Sequence, residues 1–384
     1  MSKIRIFHAL SIYSGFIDSV YRKNPDLSNL SYIEQQNILM NAGFGWINVW
    51  KINLEKTGLF EVETVFTNAE IMQKSWAEEN NIRYSNKNWL QDILFSQINN
   101  NKPDIFFAHD AINISPVLSK IKNDIPTIKL IFGWDGILAH NPTLFTGYDL
   151  ILSCVKESTE FYQKFGFKTY YFQFGFETEI LNKINIRKQV YDLTFVGSLY
   201  PQGQHKTRFE LMNDIKNNFY LNLWTPSFNY KYFWIYYKHQ LQRLLSGNFD
   251  EYQDVKSIIK LNKGEVYGIE MFQVLSDSKI TLNSHITKSK NESANIRLYE
   301  ATGMGACLVT DWKENLNTIF DIDNEVVTYN SNAECVEKIK FLLNNEPYRK
   351  KIALAGQKRT LREHNYENRF KLFSDFLLNL YSEN

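Results

Sequence analysis

Glu292-Ser-Ala-Asn-Ile-Arg-Leu-Tyr-Glu300, running on through Ala301-Thr-Gly-Met-Gly305 into Ala306-Cys-Leu-Val-Thr-Asp311, decides the fold. Two carboxylates flank seven residues. Small residues follow the first, an apolar-periodic segment carries the second, and a glycine-rich break precedes a short apolar strand. Upstream, Lys279-Ile-Thr-Leu-Asn-Ser284 reads as a buried strand ending in polar residues, and 285–291 as a polar loop. Ser293 and Asn295 both suit an N-cap, so a helix is expected to start there. A helix between two such strands is a βαβ unit, which implies a parallel sheet with ligands at the strand C-termini. The order of parts suits a nucleotide-diphosphate sugar. A helix N-terminus offers N–H groups and a positive dipole end to an anion. A carboxylate about two turns along can accept hydrogen bonds from a ribose.

Working outward, the first half alternates strand and helix signals. Strands are expected at 3–8, 61–66, 104–108, 127–132, 149–153 and 169–173, with helical stretches such as 31–57 and 88–100 between them. That alternation is the doubly wound α/β signature. Residues 176–190 lack apolar periodicity and read as a linker. A second set of strands follows near 192–196, 219–223, 279–283, 306–310 and 325–329, interrupted by 228–262; residues 332–382 are largely helical. No repeat of 20–50 residues is visible.

Net charge is +1 and aromatic content is 15%. A near-neutral balance argues against a broad nucleic-acid footprint. Cys154, Cys307 and Cys335 lie far apart, without the spacing of a zinc site, and fit a reducing compartment. The N-terminus is too short and polar for a signal peptide, and no run approaches the roughly 18–20 apolar residues of a spanning helix. The expectation is a cytoplasmic protein.

Six stretches together carry a family resemblance: Tyr191-Asp-Leu-Thr-Phe-Val-Gly-Ser198, Gly268-Ile-Glu-Met271, Ser278 to Asn283, Asn295-Ile-Arg-Leu-Tyr-Glu-Ala301, Gly303 to Asp311, and His364-Asn-Tyr-Glu-Asn-Arg369. In these the C-terminal half resembles the CgeB-like glycosyltransferases, a GT-B branch related to the retaining group 1 family. The N-terminal half matches in layout only. The resemblance implies two doubly wound, Rossmann-like domains with an interdomain cleft: an acceptor-side domain at 1–177, a nucleotide-sugar domain at 190–367, and a final helix at 368–384 packing back on the first.

It also assigns residues. Gly197 and Ser198 would approach the donor diphosphate, with Lys206 and Arg208 neutralising it. Glu300 would accept from the ribose, and Glu292 would lie near the donor sugar. Ser293, Ala294 and Asn295 would present backbone N–H groups, where related enzymes often carry glycine. Arg297 is an alternative phosphate ligand. Tyr267 reads either as a ring stacked on the base or as core packing. In the first half, Gly15 follows the first strand and could approach the diphosphate or acceptor. His109 and Asp135 fall at strand C-termini, where either could orient or deprotonate an acceptor hydroxyl, or simply cap the next helix. Asp321-Ile-Asp323 has the spacing of a metal motif but sits beside Asn324 in turn chemistry. No metal and no cofactor are expected, only the sugar nucleotide as co-substrate. Phe228 to Leu245 mixes aromatic residues with Lys231, Lys238 and Arg243; it reads as a packed helix or as a peripheral contact with the inner face of the membrane. The expected activity is transfer of a sugar to an acceptor hydroxyl on a glycan, glycolipid or protein, retaining and metal-independent. An epimerase on the same fold and a non-catalytic sugar-binding or surface-assembly protein are the alternatives.

Overall fold

The computed structural model describes residues 2–136, 141–228, 238, 241–242, 245–247, 249–287 and 291–383. The chain divides into two units, Met1–Gln173 with Tyr366–Asn384, and Phe174–Asn365. The first unit holds strands β1 (Ile4–Leu10), β2 (Phe60–Phe66), β3 (Ile105–Ala108), β4 (Leu130–Trp134), β5 (Leu150–Ser153) and β6 (Thr169–Tyr171). Their order is β2-β1-β3-β4-β5-β6, with every neighbouring pair parallel. Parallel strands are covered on both faces, which is why β3 and β5 are apolar or small throughout and wholly buried.

The second unit holds β7 (Tyr191–Val196), β8 (Asn222–Trp224), β9 (Ser278–Asn283), β10 (Cys307–Asp311) and β11 (Val327–Tyr329), in the order β11-β10-β9-β7-β8 and again parallel. Phe195, Leu282 and Val309 pack on one face with Met212 and Ile339 from the helices Lys206–Asn218 and Asn332–Asn344. Val196 and Leu308 pack on the other with Leu298, Phe272 and Phe176. The direction of sheet growth reverses between β7 and β9, so a crevice opens outside their carboxyl ends. All eleven expected strands are present, with ends shifted by a few residues.

Three local readings change. The helical stretch 31–57 is two helices, Tyr32–Asn41 and Val49–Lys56. Gly43 and Gly45 take φ of 67° and 50° between them, a conformation that ends a right-handed helix. The stretch 176–190 is packed against the second unit: Phe176 and Ile180 are buried, and Arg187 donates to both carboxylate oxygens of Asp277. Its first residues are anchored in this way, while most of 182–190 is exposed. The helix expected from Ser293 or Asn295 is Arg297–Gly303 and starts later: Ile296 stands at its cap position, and Asn295 one residue earlier turns the chain by accepting from the Arg297 N–H at 2.9 Å.

Tyr366–Ser382 is a helix of the first unit. Phe370 and Phe373 set their rings edge-on to Trp50 at 5.0 and 5.6 Å. Burying an indole such as Trp50, on the order of 200 Å², is worth up to about 5 kcal/mol before entropy. Much of Phe228 to Leu245, including Lys231 and Arg243, lies outside the described residues, and the membrane-contact reading with it. No helix among the described residues is long and apolar enough to cross a membrane.

Candidate active site

β7 ends at Val196, and Gly197 and Ser198 make the turn toward the helix Lys206–Asn218. A Cβ on Gly197 would rest against the Phe195 ring at 3.4 Å and 4.0 Å from Arg208 Nη1, so a side chain here would stand beside the guanidinium. Arg208, in the first turn of the helix, is only 7% exposed. Its Nε donates to the Ser284 carbonyl at 3.0 Å, and Nη2 reaches the same oxygen. Nη1 donates to the Ser198 carbonyl at 2.8 Å and lies 3.2 Å from His205 Nδ1. The guanidinium therefore clamps the loop after β7 to the loop after β9. Of its five N–H donors, four are engaged and one on Nη2 is not, among the described residues. Arg208 has no ion-pair partner among the described residues. Burial lowers it to about 10, with the more distant Asp311 charge pulling the other way. Burial and Arg208 together pull His205 down to about 4. Lys206 points elsewhere: it is solvent-exposed and lies 3.8 Å from Glu210 one turn on.

The edge continues across β9, β10 and β11. Asn283 accepts from Asn295 Nδ2 at 2.9 Å and donates to Thr310 at 3.0 Å, while its carbonyl accepts from the Tyr329 hydroxyl at 2.9 Å. Asp311 Oδ1 accepts from the His285 backbone N–H at 3.0 Å and lies 2.7 Å from His285 Nδ1; Lys313 Nζ is 3.3 Å from Oδ2. Burial would raise the Asp311 carboxyl, but the bonds from His285 and the Lys313 charge hold it at about 2. A cavity of about 400 Å³ opens here, lined by Thr207, His285, Asp311, Lys313, Tyr329 and Asn332 among others.

Behind this edge runs the loop 292–296. Glu292 is half-buried, Ser293 is buried with its N–H donated to Asn315 Oδ1 at 2.7 Å, and Ala294 is half-buried. Glu300 is 4% exposed and pairs with Arg297 Nη1 at 2.6 Å. Burial raises its carboxyl against the pull of Arg297. Tyr267 precedes the helix Gly268–Ser276, with its hydroxyl 3.2 Å from Glu265 Oε2.

In the first unit, His109 follows β3 and lies in an aromatic surround. The Trp46 ring meets it edge-on at 4.3 Å and the Trp134 ring stacks at 5.3 Å. Its Nδ1 is 3.1 Å from Nε2 of His8, a residue of β1. Burial lowers His8 to about 3 and His109 well below the usual histidine range, the second also through His8, so both rings are neutral. Asp135, at the end of β4, is 1% exposed; its N–H donates to the Leu152 carbonyl at 2.8 Å and its carbonyl accepts from Ser153 Oγ. Gly15 is the second residue of the helix Ser14–Lys23 and half-buried. Asp321 and Asp323 belong to a turn before β11, with Asp323 at φ 64° and the Glu325 N–H bonded back to the Asp321 carbonyl.

Sequence reasoning missed His8, His285, Asp311 and Lys313 as site residues. His285 and Asp311 stand at strand C-termini, the same signal that singled out His109 and Asp135. His8 lies inside a strand, where only an ionisable residue in an apolar run marked it.

Residues 235–375 match the family model described as glycosyl transferase-like. No curated protein matches the chain in sequence. Among solved structures, Anabaena HepE in complex with UDP-glucose aligns with a TM-score of 0.61 at 10% identity, over 98% of this chain and 99% of that one. Sucrose-phosphate synthase from Thermosynechococcus elongatus aligns at 0.59 and 10% identity over 100% of both chains. A Listeria monocytogenes protein assigned as a UDP-N-acetylglucosamine 2-epimerase aligns at 0.51 and 12% identity, over 98% of this chain and 95% of that one. The sequence match falls in the second unit and its neighbourhood, and the architecture is that of the GT-B fold, in line with the resemblance that the motifs carry.

Proposed function

We propose that the protein moves a sugar from a nucleotide diphosphate to an acceptor hydroxyl, with retention at the anomeric carbon and without a metal. The observation that carries this reading is Arg208. A buried guanidinium with no ion partner among the described residues is costly unless an anion completes it. It stands at the reversal point of the sheet, beside the Gly197 turn, with one N–H uncommitted among the described residues. A diphosphate leaving group gathers negative charge as the glycosidic bond breaks. A fixed cation aimed at that charge stabilises it without reorganisation, which is the service a divalent ion performs elsewhere. The helix N-terminus contributes less than its sequence promised, since Ser293 N–H is already held by Asn315.

In this reading Glu300 accepts from the ribose, with Arg297 keeping it oriented, and Glu292 and the backbone at Ala294 and Asn295 face the donor sugar. Tyr267 borders the base, and Lys206 reaches a phosphate only by leaving Glu210. His109, Asp135 and Gly15 serve the substrate from the first unit. Because HepE holds UDP-glucose on this fold, a UDP-sugar is the first donor to try. The acceptor is a hydroxyl of a glycan, glycolipid or protein.

Thermal-shift measurements against UDP-, GDP-, CMP- and dTDP-sugars test the donor claim, since a ligand of the native state raises apparent stability. The expected result is a rise with one base and none with the corresponding free sugar; no rise with any would sink the proposal. The epimerase reading predicts conversion of donor alone, whereas a transferase needs an acceptor. Activity abolished by EDTA, or an inverted anomer in the product NMR spectrum, would remove the metal-independent and retaining parts respectively.

A further inference from the structure

His8, Thr64 and His109 form a buried chain of polar groups across three strands of the first sheet. Thr64 lies opposite His8 in the β1–β2 register, and His109 follows β3 on the other side of β1. Thr64 is 1% exposed and His8 is fully buried. The Thr64 hydroxyl lies 3.3 Å from His8 Nδ1, and His8 Nε2 lies 3.1 Å from His109 Nδ1. His109 Nε2 is buried and has no partner among the described residues. The Phe107 ring stacks on His8 at 4.5 Å and holds its plane.

Two arrangements of the protons fit these distances. In the first, the Thr64 hydroxyl donates to His8 Nδ1, His8 Nε2–H donates to His109 Nδ1, and His109 carries its proton on Nε2. In the second, every bond runs the other way, and His109 Nε2 is bare. Buried donors left unsatisfied are the costly groups, while a hydroxyl oxygen with an unused lone pair costs little. The first arrangement leaves one orphan, the His109 Nε2–H. The second leaves the Thr64 O–H without an acceptor and the His109 nitrogen without a donor. The first is therefore favoured.

We infer that Thr64 and His8 are positioning residues that hold His109 as the Nε2–H tautomer, so that it meets the substrate as a hydrogen-bond donor to an oxygen and not as a base. The inference rests on the reading of His109 as substrate-facing for its second half only. The neutrality of both rings supports it, because neither can supply a second proton.

The tautomer can be read without any substrate. In the full chain labelled with 15N-histidine, long-range 1H–15N correlations distinguish a protonated from a bare ring nitrogen, and His109 is assigned by the loss of its signals in His109→Gln. The wild type should show His109 protonated on Nε2 alone. Thr64→Val, nearly isosteric, removes the hydroxyl that breaks the tie, since each arrangement then leaves one orphan donor and one orphan acceptor. His109 should become a mixture of tautomers. A proton on Nδ1 in the wild type, or an unchanged single tautomer in Thr64→Val, overturns the relay.

Turnover tests the second half. With the sugar nucleotide selected by the thermal-shift panel, His109→Gln should keep activity within about tenfold of wild type, because its amide can still donate, while His109→Leu should fall by about a hundredfold. Equal loss in both variants would restore the base role and overturn the donor role. Wild-type turnover in both would mean that His109 does not meet the substrate, and would sink its place in the proposed reaction whatever the tautomer.

Discussion

Replacing Arg208 with Met gives the sharpest test of the phosphate site. Burial depresses the guanidinium from its ordinary value to about 10, which puts about 3 kcal/mol against the charged form in the folded protein. An anion that enters beside it recovers energy of that order. Loss of the charge should therefore weaken binding of the donor's nucleoside diphosphate by about 3 kcal/mol, or about a hundredfold in Kd. The empty protein should change far less. Methionine relieves the burial of a charge, but it leaves the Ser198 and Ser284 carbonyls unpaired at about 1–3 kcal/mol each, so the two effects largely offset. Isothermal titration with the diphosphate, alongside the matching nucleoside as a control without phosphates, separates the outcomes. The nucleoside should bind both proteins alike. A diphosphate affinity within about threefold of wild type would refute the role given to Arg208. Arg208→Lys keeps the charge but not the planar fork, and should lie between the two.

Glu300→Ala should weaken nucleotide binding by about tenfold through loss of the ribose contact; undiminished affinity would remove Glu300 from the site. Gly303→Ala should destabilise the protein by about 1–3 kcal/mol in urea titrations, because the new Cβ falls 2.5 Å from the Phe176 ring, and Phe176→Leu should recover part of the loss. Wild-type stability in Gly303→Ala would mean that the ring is free to move aside. Asp311→Asn should cost about 2 kcal/mol above pH 4, since the folded carboxyl sits at about 2 against an ordinary 3.8. A depressed carboxyl stabilises above its unfolded value and loses that as pH falls through its folded one. The gap between wild type and variant should therefore close between pH 4 and 2, and a gap independent of pH would remove the His285 partnership as its cause.

The strands were legible because parallel strands buried on both faces read as short apolar runs, and β3 and β5 are nearly pure examples. What escaped was information held by single residues in context. Gly43 and Gly45 break a helical pattern that flanking periodicity otherwise continues. Phe176 and Ile180 anchor an irregular segment whose polar composition suggested a linker. At the candidate site, the sequence marked the basic residues after Gly197 but could not tell Arg208 from Lys206. Two positions on a helix put one under the sheet edge and the other in solvent. The partnership of His285 with Asp311 joins residues 26 apart, and that of His8 with His109 joins residues 101 apart. Neither follows from local pattern.

The helix Tyr366–Ser382 belongs to the first unit although it comes after the whole of the second in the chain. A ribosome therefore delivers most of the first unit early, with Trp50 and Phe172 still waiting for Phe370 and Phe373. During that interval an aromatic surface stays wet while all of residues 174–365 are synthesised. Nascent chains halted before residue 366 should engage holdase chaperones through that surface, and release them once the last helix emerges.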